Sequence, residues 1–238
     1  TGRNDDPVGS DDNLETDENS SVDAFVPLAE DVDGQIVRYE LIDDVSSGRL
    51  SLSEDGRYTF DPGQDFDDLA EGESRAVSFT YRAVDDLGAD SGIQTVTINV
   101  SGRNDAPEAS DDLQETEENT RLDGSVPLPE DVDGVVVGYT LVDDVSQGVL
   151  TFNEDGSYSF DPGSDFDDLA EGEIREVSFT YYASDDHGAD SGIQTVTIVV
   201  TGRNDDPVGS DDYQETDENS SVDGFVPLAE DVDGQIAR

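Results

Sequence analysis

The chain has 238 residues, of which 61 are acidic and 11 basic, for a formal net charge of −50. Such a field repels nucleic acid and anionic membranes, both bound through basic patches, and it attracts cations. With no cysteine, disulfides and thiolate chemistry are excluded, and no apolar run approaches transmembrane length.

In chain order the apolar residues mark short strands. Residues from Val8 to Leu14 and from Val22 to Leu28 predict the first two. Val37, Tyr39 and Leu41 alternate with other residues, as do Leu50 and Leu52, then Tyr58 and Phe60. Between Asp65 and Ala70 a single helical turn would set Phe66 and Leu69 toward the core. Val77, Phe79 and Tyr81 follow, then Val96, Ile98 and Val100. Period-two alternation puts each set on one sheet face. Asp33-Gly34, Ser47-Gly48, Asp55-Gly56, Asp61-Pro62-Gly63 and Asp86-Leu87-Gly88 separate the sets as turns, and Glu54-Asp55-Gly56 reads as a tight hairpin. About seven short strands per hundred residues suit an immunoglobulin-like sandwich.

The phrase Gly-Arg-Asn-Asp starts at Gly2, Gly102 and Gly202. The first two copies match at roughly two thirds of positions, and the period suits a self-contained domain better than a solenoid repeat. Residues 1–103 and 104–203 are therefore expected to be two β-sandwich modules, and 204–238 a truncated third holding two strands. The absent methionine predicts that the sequence is an internal piece of a longer chain.

The acidic loops fall into two sets. In a sandwich of seven strands, loops alternate between the two ends. Asp31/Asp33, Glu54/Asp55 and Asp85/Asp86 are then expected at the amino end of the module. Asp17/Glu18/Asn19, Asp43/Asp44 and Asp61–Asp68 are expected at the carboxyl end. Stacked modules bring one set against the other, with Asn104-Asp105 running between. Calcium takes six to eight oxygen ligands from carboxylates, Asn side chains and carbonyls, which such a junction offers. Asp67-Asp68 and Glu71/Glu73 read instead as solvated surface.

Several motifs resemble the VCBS repeat, a cadherin-like module of large bacterial RTX adhesins. They are Asp31-Val-Asp-Gly, Glu54-Asp-Gly-Arg-Tyr-Thr-Phe-Asp-Pro-Gly, Ser78-Phe-Thr-Tyr, Asp85-Asp-Leu-Gly-Ala, and Thr97-Ile-Asn-Val-Ser-Gly-Arg-Asn-Asp-Ala-Pro. The resemblance covers the whole chain. It implies an all-β fold of tandem cadherin-like sandwiches and calcium at the module junctions. It also implies type I export to the bacterial surface, and a monomeric rod acting as a spacer in adhesion or biofilm formation. Against the cadherin pattern, Glu18-Asn19 and Glu118-Asn119 stand where cadherins use Pro-Glu-Asn. Asn104-Asp105 matches their Asn-Asp linker, Asp131 and Asp133 their Asp-X-Asp pair, and Asp185 or Asp186 the later acidic pair. The other copies carry the same residues as Asn4, Asp5, Asp31, Asp33, Asp85 and Asp86, and as Asn204, Asp205, Asp231 and Asp233. Gly102 departs from the pattern, which has an aspartate there.

Other functions find little support. His187 is the only histidine and stands in a turn where the first copy has Leu87. Carboxylate pairs for glycoside hydrolysis would need a cleft with one carboxyl in an apolar pocket, and nothing marks one. Phosphate-cradling Gly-rich loops are absent. Arg3, Arg103 and Arg203 read as partners of neighbouring carboxylates. The rival reading is a carbohydrate- or protein-binding sandwich that is itself the adhesive domain. That role usually needs exposed aromatics, and only Phe25, replaced by Ser125 in the second copy, invites it.

Overall fold

The computed structural model describes residues 3–235. Residues 1, 2 and 236–238, which include Gly2 of the first repeated phrase and the last residues of the truncated copy, lie outside the described residues.

In the first copy the strands are β1 (Asp12–Asp17), β2 (Val22–Phe25), β3 (Ile36–Asp43), β4 (Arg49–Leu52), β5 (Arg57–Asp61), β6 (Ser74–Asp85) and β7 (Gln94–Ser101). They form a four-stranded sheet ordered β1-β7-β6-β3 and a three-stranded sheet ordered β2-β5-β4. β1 runs parallel to β7, and the other pairs are antiparallel. The second copy repeats this with β8 (Asp112–Glu117), β9 (Leu122–Ser125), β10 (Val136–Asp143), β11 (Val149–Phe152), β12 (Ser157–Asp161), β13 (Ile174–Asp185) and β14 (Gln194–Thr201). Its sheets are ordered β10-β13-β14-β8 and β11-β12-β9.

Alternation fills the core. Val77, Phe79, Tyr81 and Ala83 of β6 and Val96, Ile98 and Val100 of β7 are buried, and they share one cluster with Tyr58 and Phe60 of β5. The expected helical turn is a 3₁₀ turn at Gly63–Phe66, and it buries Phe66 and Leu69. Each buried aromatic ring of this size removes enough apolar surface from water to stabilise the module by about 1.5–3 kcal/mol.

Four expectations need adjusting. β1 starts at Asp12 and not near Val8, because Val8 instead bridges Glu30. β2 stops at Phe25, since Pro27 has no N–H for the ladder. Val37 does not share the inward face with Tyr39, because the register shift between Ile36 and Arg38 breaks the alternation there and leaves it exposed. Leu41, paired opposite the buried Tyr81, keeps Tyr39's face and is 38% exposed only because β3 is an edge strand. In residues 204–235 the counterparts of β1 and β2 are not strands; Val208–Glu230 is a lone bridge. β1 depends on β7 and β2 on β5, and these residues contain no match to either partner.

The described chain divides into two compact units. One runs to Ala106 and takes in Asp131–Val135, a segment that belongs in sequence to the second copy. The other comprises Pro107–Glu130 and the residues from Val136 on. Among the described residues no helix is long and apolar enough to cross a membrane.

Candidate metal centre

Glu18 follows β1 directly and is 3% exposed. Its backbone N–H donates to Ser101 O, the last residue of β7, at 3.0 Å. Its carboxylate turns to the linker, where Oε1 accepts the Arg103 N–H at 2.8 Å. Oε2 is buried and has no hydrogen-bond partner. Glu118 repeats this in the second unit: it is 1% exposed, Oε1 accepts the Arg203 N–H at 2.7 Å, and Oε2 is again buried without a partner.

Each glutamate faces further carboxylates. Burial pushes the Glu18 carboxyl above its ordinary range. The Arg103 N–H opposes this, and the negative charges of Asp105, Asp133 and Asp67 add to it. Burial likewise raises Asp105, with help from Asp67 and Asp131. Asp133 is raised by burial first, then by Asp105 and Asp131. Glu118 is raised by burial and by Asp205, Asp233 and Asp167. These are sites where negative charge is held together at a cost.

The backbone arranges the rest. The Asp105 N–H donates to both oxygens of Asp133 at 3.3 Å, and the Asp205 N–H contacts Asp233 in the same way. Asp31 Oδ1 accepts the N–H groups of Asp33 and Gly34, each at 3.0 Å, and Asp131 Oδ1 accepts that of Gly134. In all three copies the loop aspartate keeps one buried oxygen without a hydrogen-bond partner: Asp31 Oδ2, Asp131 Oδ2 and Asp231 Oδ1. Gly34 keeps that space open, because a Cβ there would lie 2.8 Å from Asp31 Oδ2 and 3.0 Å from Asp86 Oδ1. At the same end, the Asp5 N–H donates to Asp33, Asn4 Nδ2 donates to Asp85, and Asp86 Oδ1 accepts the Gln35 N–H. In the second copy Asp185 Oδ1 accepts the N–H groups of His187 and Ala189, while Asp186 lies 3.4 Å from His187 Nδ1. Asn204 donates to the Asp205 carbonyl.

The structure therefore groups Glu18, Asp105, Asp131 and Asp133 in one unit, and Glu118, Asp205 and Asp233 in the other. Sequence reasoning read Asp67 as solvated surface and did not single out Asp167, yet their charges face Glu18 and Glu118. The signal was present: the buried Phe66 fixes the turn on which Asp67 stands. Asp68 does behave as surface, pairing with Arg75 at 2.7 Å. Arg103 and Arg203 pair with Asp17 and Glu117, as expected of linker arginines. Gly102 has a steric explanation. A Cβ there would stand 2.0 Å from Leu69 O and 2.5 Å from Ala70 O, so no aspartate fits, and Gly202 is equally confined.

The donor set is all oxygen, several of the atoms are buried without partners, and they recur at matching positions. That chemistry fits a hard divalent cation such as calcium. As positioned, however, no group of three or more His, Cys, Asp or Glu among the described residues closes tightly enough to hold a metal ion.

A family model described as a bacterial cadherin-like domain matches residues 4–102 and again 104–202. A comparison with curated proteins finds no match. Among solved structures, the EC1-4 fragment of Drosophila N-cadherin is similar over 84% of this chain and 50% of its own, at 16% identity and a TM-score of 0.48. A protocadherin gamma B7 fragment is similar over 87% of this chain and 56% of its own, at 16% identity and a TM-score of 0.43. The chain thus spans about half the length of these cadherin fragments.

Proposed function

We propose, for a chain that belongs to the bacterial cadherin-like domain family, that it is a calcium-stiffened extender region of a bacterial surface adhesin, holding a distal adhesive domain away from the cell. Bacterial cadherin-like domains are extracellular modules of a structural or adhesive kind, and the tandem copies suit repetition for length. Type I secretion belongs to the same proposal. The observation that carries it is the buried glutamate at the foot of each module, Glu18 and Glu118, with one oxygen on the linker N–H and the other unpartnered among facing carboxylates.

Calcium, when bound, supplies a divalent positive charge that six to eight oxygens can share. Glu18, Asp67, Asp105, Asp131 and Asp133 would hold it, with Asn104 from the family pattern. Glu118, Asp167, Asp205, Asp231 and Asp233 would do so in the second unit, with Asn204. Asn4, Asp5, Asp31, Asp33, Asp85 and Asp86 form the matching amino end of the first copy. Without a cation these carboxylates repel one another, so the linker is free to sample many angles. Ligands drawn from linker and loops at once restrict it to few.

The test is a calcium titration of the 238-residue chain, read by calorimetric melting and small-angle scattering. Folded-state binding adds about 2.7 kcal/mol per site at a hundredfold excess over Kd. Calcium should raise the melting temperature, magnesium should not match it, and the end-to-end distribution should become longer and narrower. Asp131→Asn with Asp133→Asn should remove the scattering change and leave the modules folded. An unchanged melt in chelator would sink the calcium reading. A calcium-dependent melt with unchanged scattering would sink stiffening alone.

A further inference from the structure

Residues 65–69 and 165–169 form an acidic turn in which each side chain has its own task. In the first copy Asp65 Oδ2 accepts the Gly48 N–H at 2.7 Å, Phe66 and Leu69 are buried in the core, and Asp68 pairs with Arg75. The charge of Asp67 acts on Glu18 and Asp105. The second copy distributes the same tasks. Asp165 Oδ2 takes the Gly148 N–H at 2.8 Å, Phe166 and Leu169 are buried, Asp168 pairs with Arg175, and Asp167 acts on Glu118.

One guanidinium grips this turn on both sides of Asp67. Arg75 Nη1 donates to the Asp65 carbonyl at 3.1 Å, and Nη2 donates to Asp68 Oδ2 at 2.7 Å. Its Cζ stands 5.6 Å from the centre of the Phe66 ring, within cation–π range. Arg175 makes the same contacts: Nη1 lies 3.1 Å from the Asp165 carbonyl, both Nη1 and Nη2 reach Asp168, and Cζ is 5.6 Å from the Phe166 ring centre. The backbone of the turn is not what recurs. The 3₁₀ turn runs to Phe66 in the first copy but stops at Asp165 in the second, where Phe166 has φ −120° and ψ −1°. The grip is the constant feature.

Arg75 is itself fixed by the sheet. It stands opposite Val100 of β7, beside Ser101, whose carbonyl accepts the Glu18 N–H. Arg175 stands opposite Val200 in the same way. The buried glutamate and the turn therefore hang from one end of one ladder. We infer that Arg75 and Arg175 are positioning residues: they hold the turn so that Asp67 and Asp167 face the buried glutamate before any cation binds. The inference rests on the calcium reading above and gives a cationic side chain a role within it. Only a planar fork of donors can hold a carbonyl and a carboxylate at once, which an ammonium does poorly. Charge alone predicts the opposite effect, because a guanidinium repels a nearby divalent cation and its removal should tighten binding.

The experiment uses the isotope-labelled 238-residue chain. Arg75→Lys keeps the charge and loses the fork, and Arg75→Leu loses both. Arg175 is left unaltered, so the second unit is the control in the same sample. In chelator, the Leu69 N–H, bonded to Phe66 O at 2.9 Å, should exchange faster in both variants, while the melt falls only slightly, as for an exposed ion pair. Calcium is then titrated while the backbone signals of Glu18, Asp67 and Asp105 are followed beside those of Glu118, Asp167 and Asp205. Both variants should weaken calcium at the first set by about 10–100-fold, the usual effect of losing a group that orients a ligand, and leave the second set unchanged. Unchanged or tighter binding in either variant would make Arg75 a counter-charge only and overturn the inference. Equal weakening at both sets, or Leu69 exchange as slow as in the unaltered chain, would overturn it too. If neither set responds to calcium in the unaltered chain, the calcium reading fails and the inference with it. If both respond and only the variants depart from expectation, the reading stands and the inference alone falls.

Discussion

Glu18→Gln should change stability in opposite directions with and without calcium. The glutamine keeps an oxygen for the Arg103 N–H, so the linker contact survives. It replaces the unpartnered Oε2 with an amide nitrogen facing the charges of Asp67, Asp105 and Asp133. In chelator this removes a buried, repelled charge and supplies a donor. An unsatisfied buried group costs about 1–3 kcal/mol, so the variant should gain on the order of 1 kcal/mol. For a domain of this size that is roughly 4–8 °C in melting temperature. In saturating calcium the variant loses a charged ligand. A tenfold loss of affinity is about 1.4 kcal/mol, and the melt should fall by roughly 6–11 °C. The assay is scanning calorimetry of both chains in chelator and in calcium at matched ionic strength. Destabilisation of the same size in both conditions would make Glu18 an ordinary structural hydrogen-bonding residue and refute the reasoning.

The raised carboxyls give a pH dependence of defined sign. Glu18, Glu118, Asp105 and Asp133 have folded-state pKa values above their ordinary ones, so the folded state binds their protons more tightly. Their contribution to stability is present at low pH and lost as pH rises through the raised values. In chelator the chain should melt higher near pH 5 than at pH 7.5. In calcium that order should reverse, because protons compete for the same oxygens. A metal-free melt that falls steadily from pH 7.5 to 5 would contradict the assignment; below pH 4 the loss of paired carboxylates such as Asp85 and Asp68 should dominate. A separate prediction concerns Gly102→Ala. Its Cβ would meet two backbone carbonyls, at 2.0 and 2.5 Å, which cannot move aside as a side-chain tip can. Overpacking of this kind costs about 1–3 kcal/mol or more, in chelator and in calcium alike. An unchanged melt would show that the linker is not seated as described.

Much of the fold was legible because alternation is a direct record of a half-buried sheet. Phe79 and Tyr81, or Val96 and Ile98, can reach one core only in register. The errors came where alternation is interrupted by something that pairing alone decides. Val37 looks like a core residue until the register shift beside it is known. Val8 looks like the start of β1 until its bridge to Glu30 is seen. The candidate site was legible as a set of residue types, but not as a set of roles. Asp67 and Asp68 are neighbours of one type. Only the turn that buries Phe66 sends one toward Glu18 and leaves the other to Arg75. Asp85 and Asp86 are equally indistinguishable in sequence, yet one accepts loop N–H groups and Asn4, and the other accepts the Gln35 N–H.

The two copies also separate what recurs from what varies. On the face of the first four-stranded sheet, Glu40 binds Arg38 and Arg82, and Arg82 reaches Asp90. The second copy has Gly138, Thr140 and Tyr182 there, and Asp190 instead accepts the Ser184 hydroxyl. Arg57 pairs with Asp23 in the first copy, where the second has Ser157 bonded to Asp155. These exposed contacts contribute little each, and their replacement leaves strand pairing intact. At the module ends the pattern is the reverse. The buried glutamate, its linker N–H, the confined glycine and the aspartate with one unpartnered oxygen all return at the same positions. A module whose business lay on its sheet faces would need those faces to present the same chemistry from copy to copy. Here the recurring chemistry sits where one repeat hands the chain to the next, and that is the place from which a repeated spacer would control its stiffness.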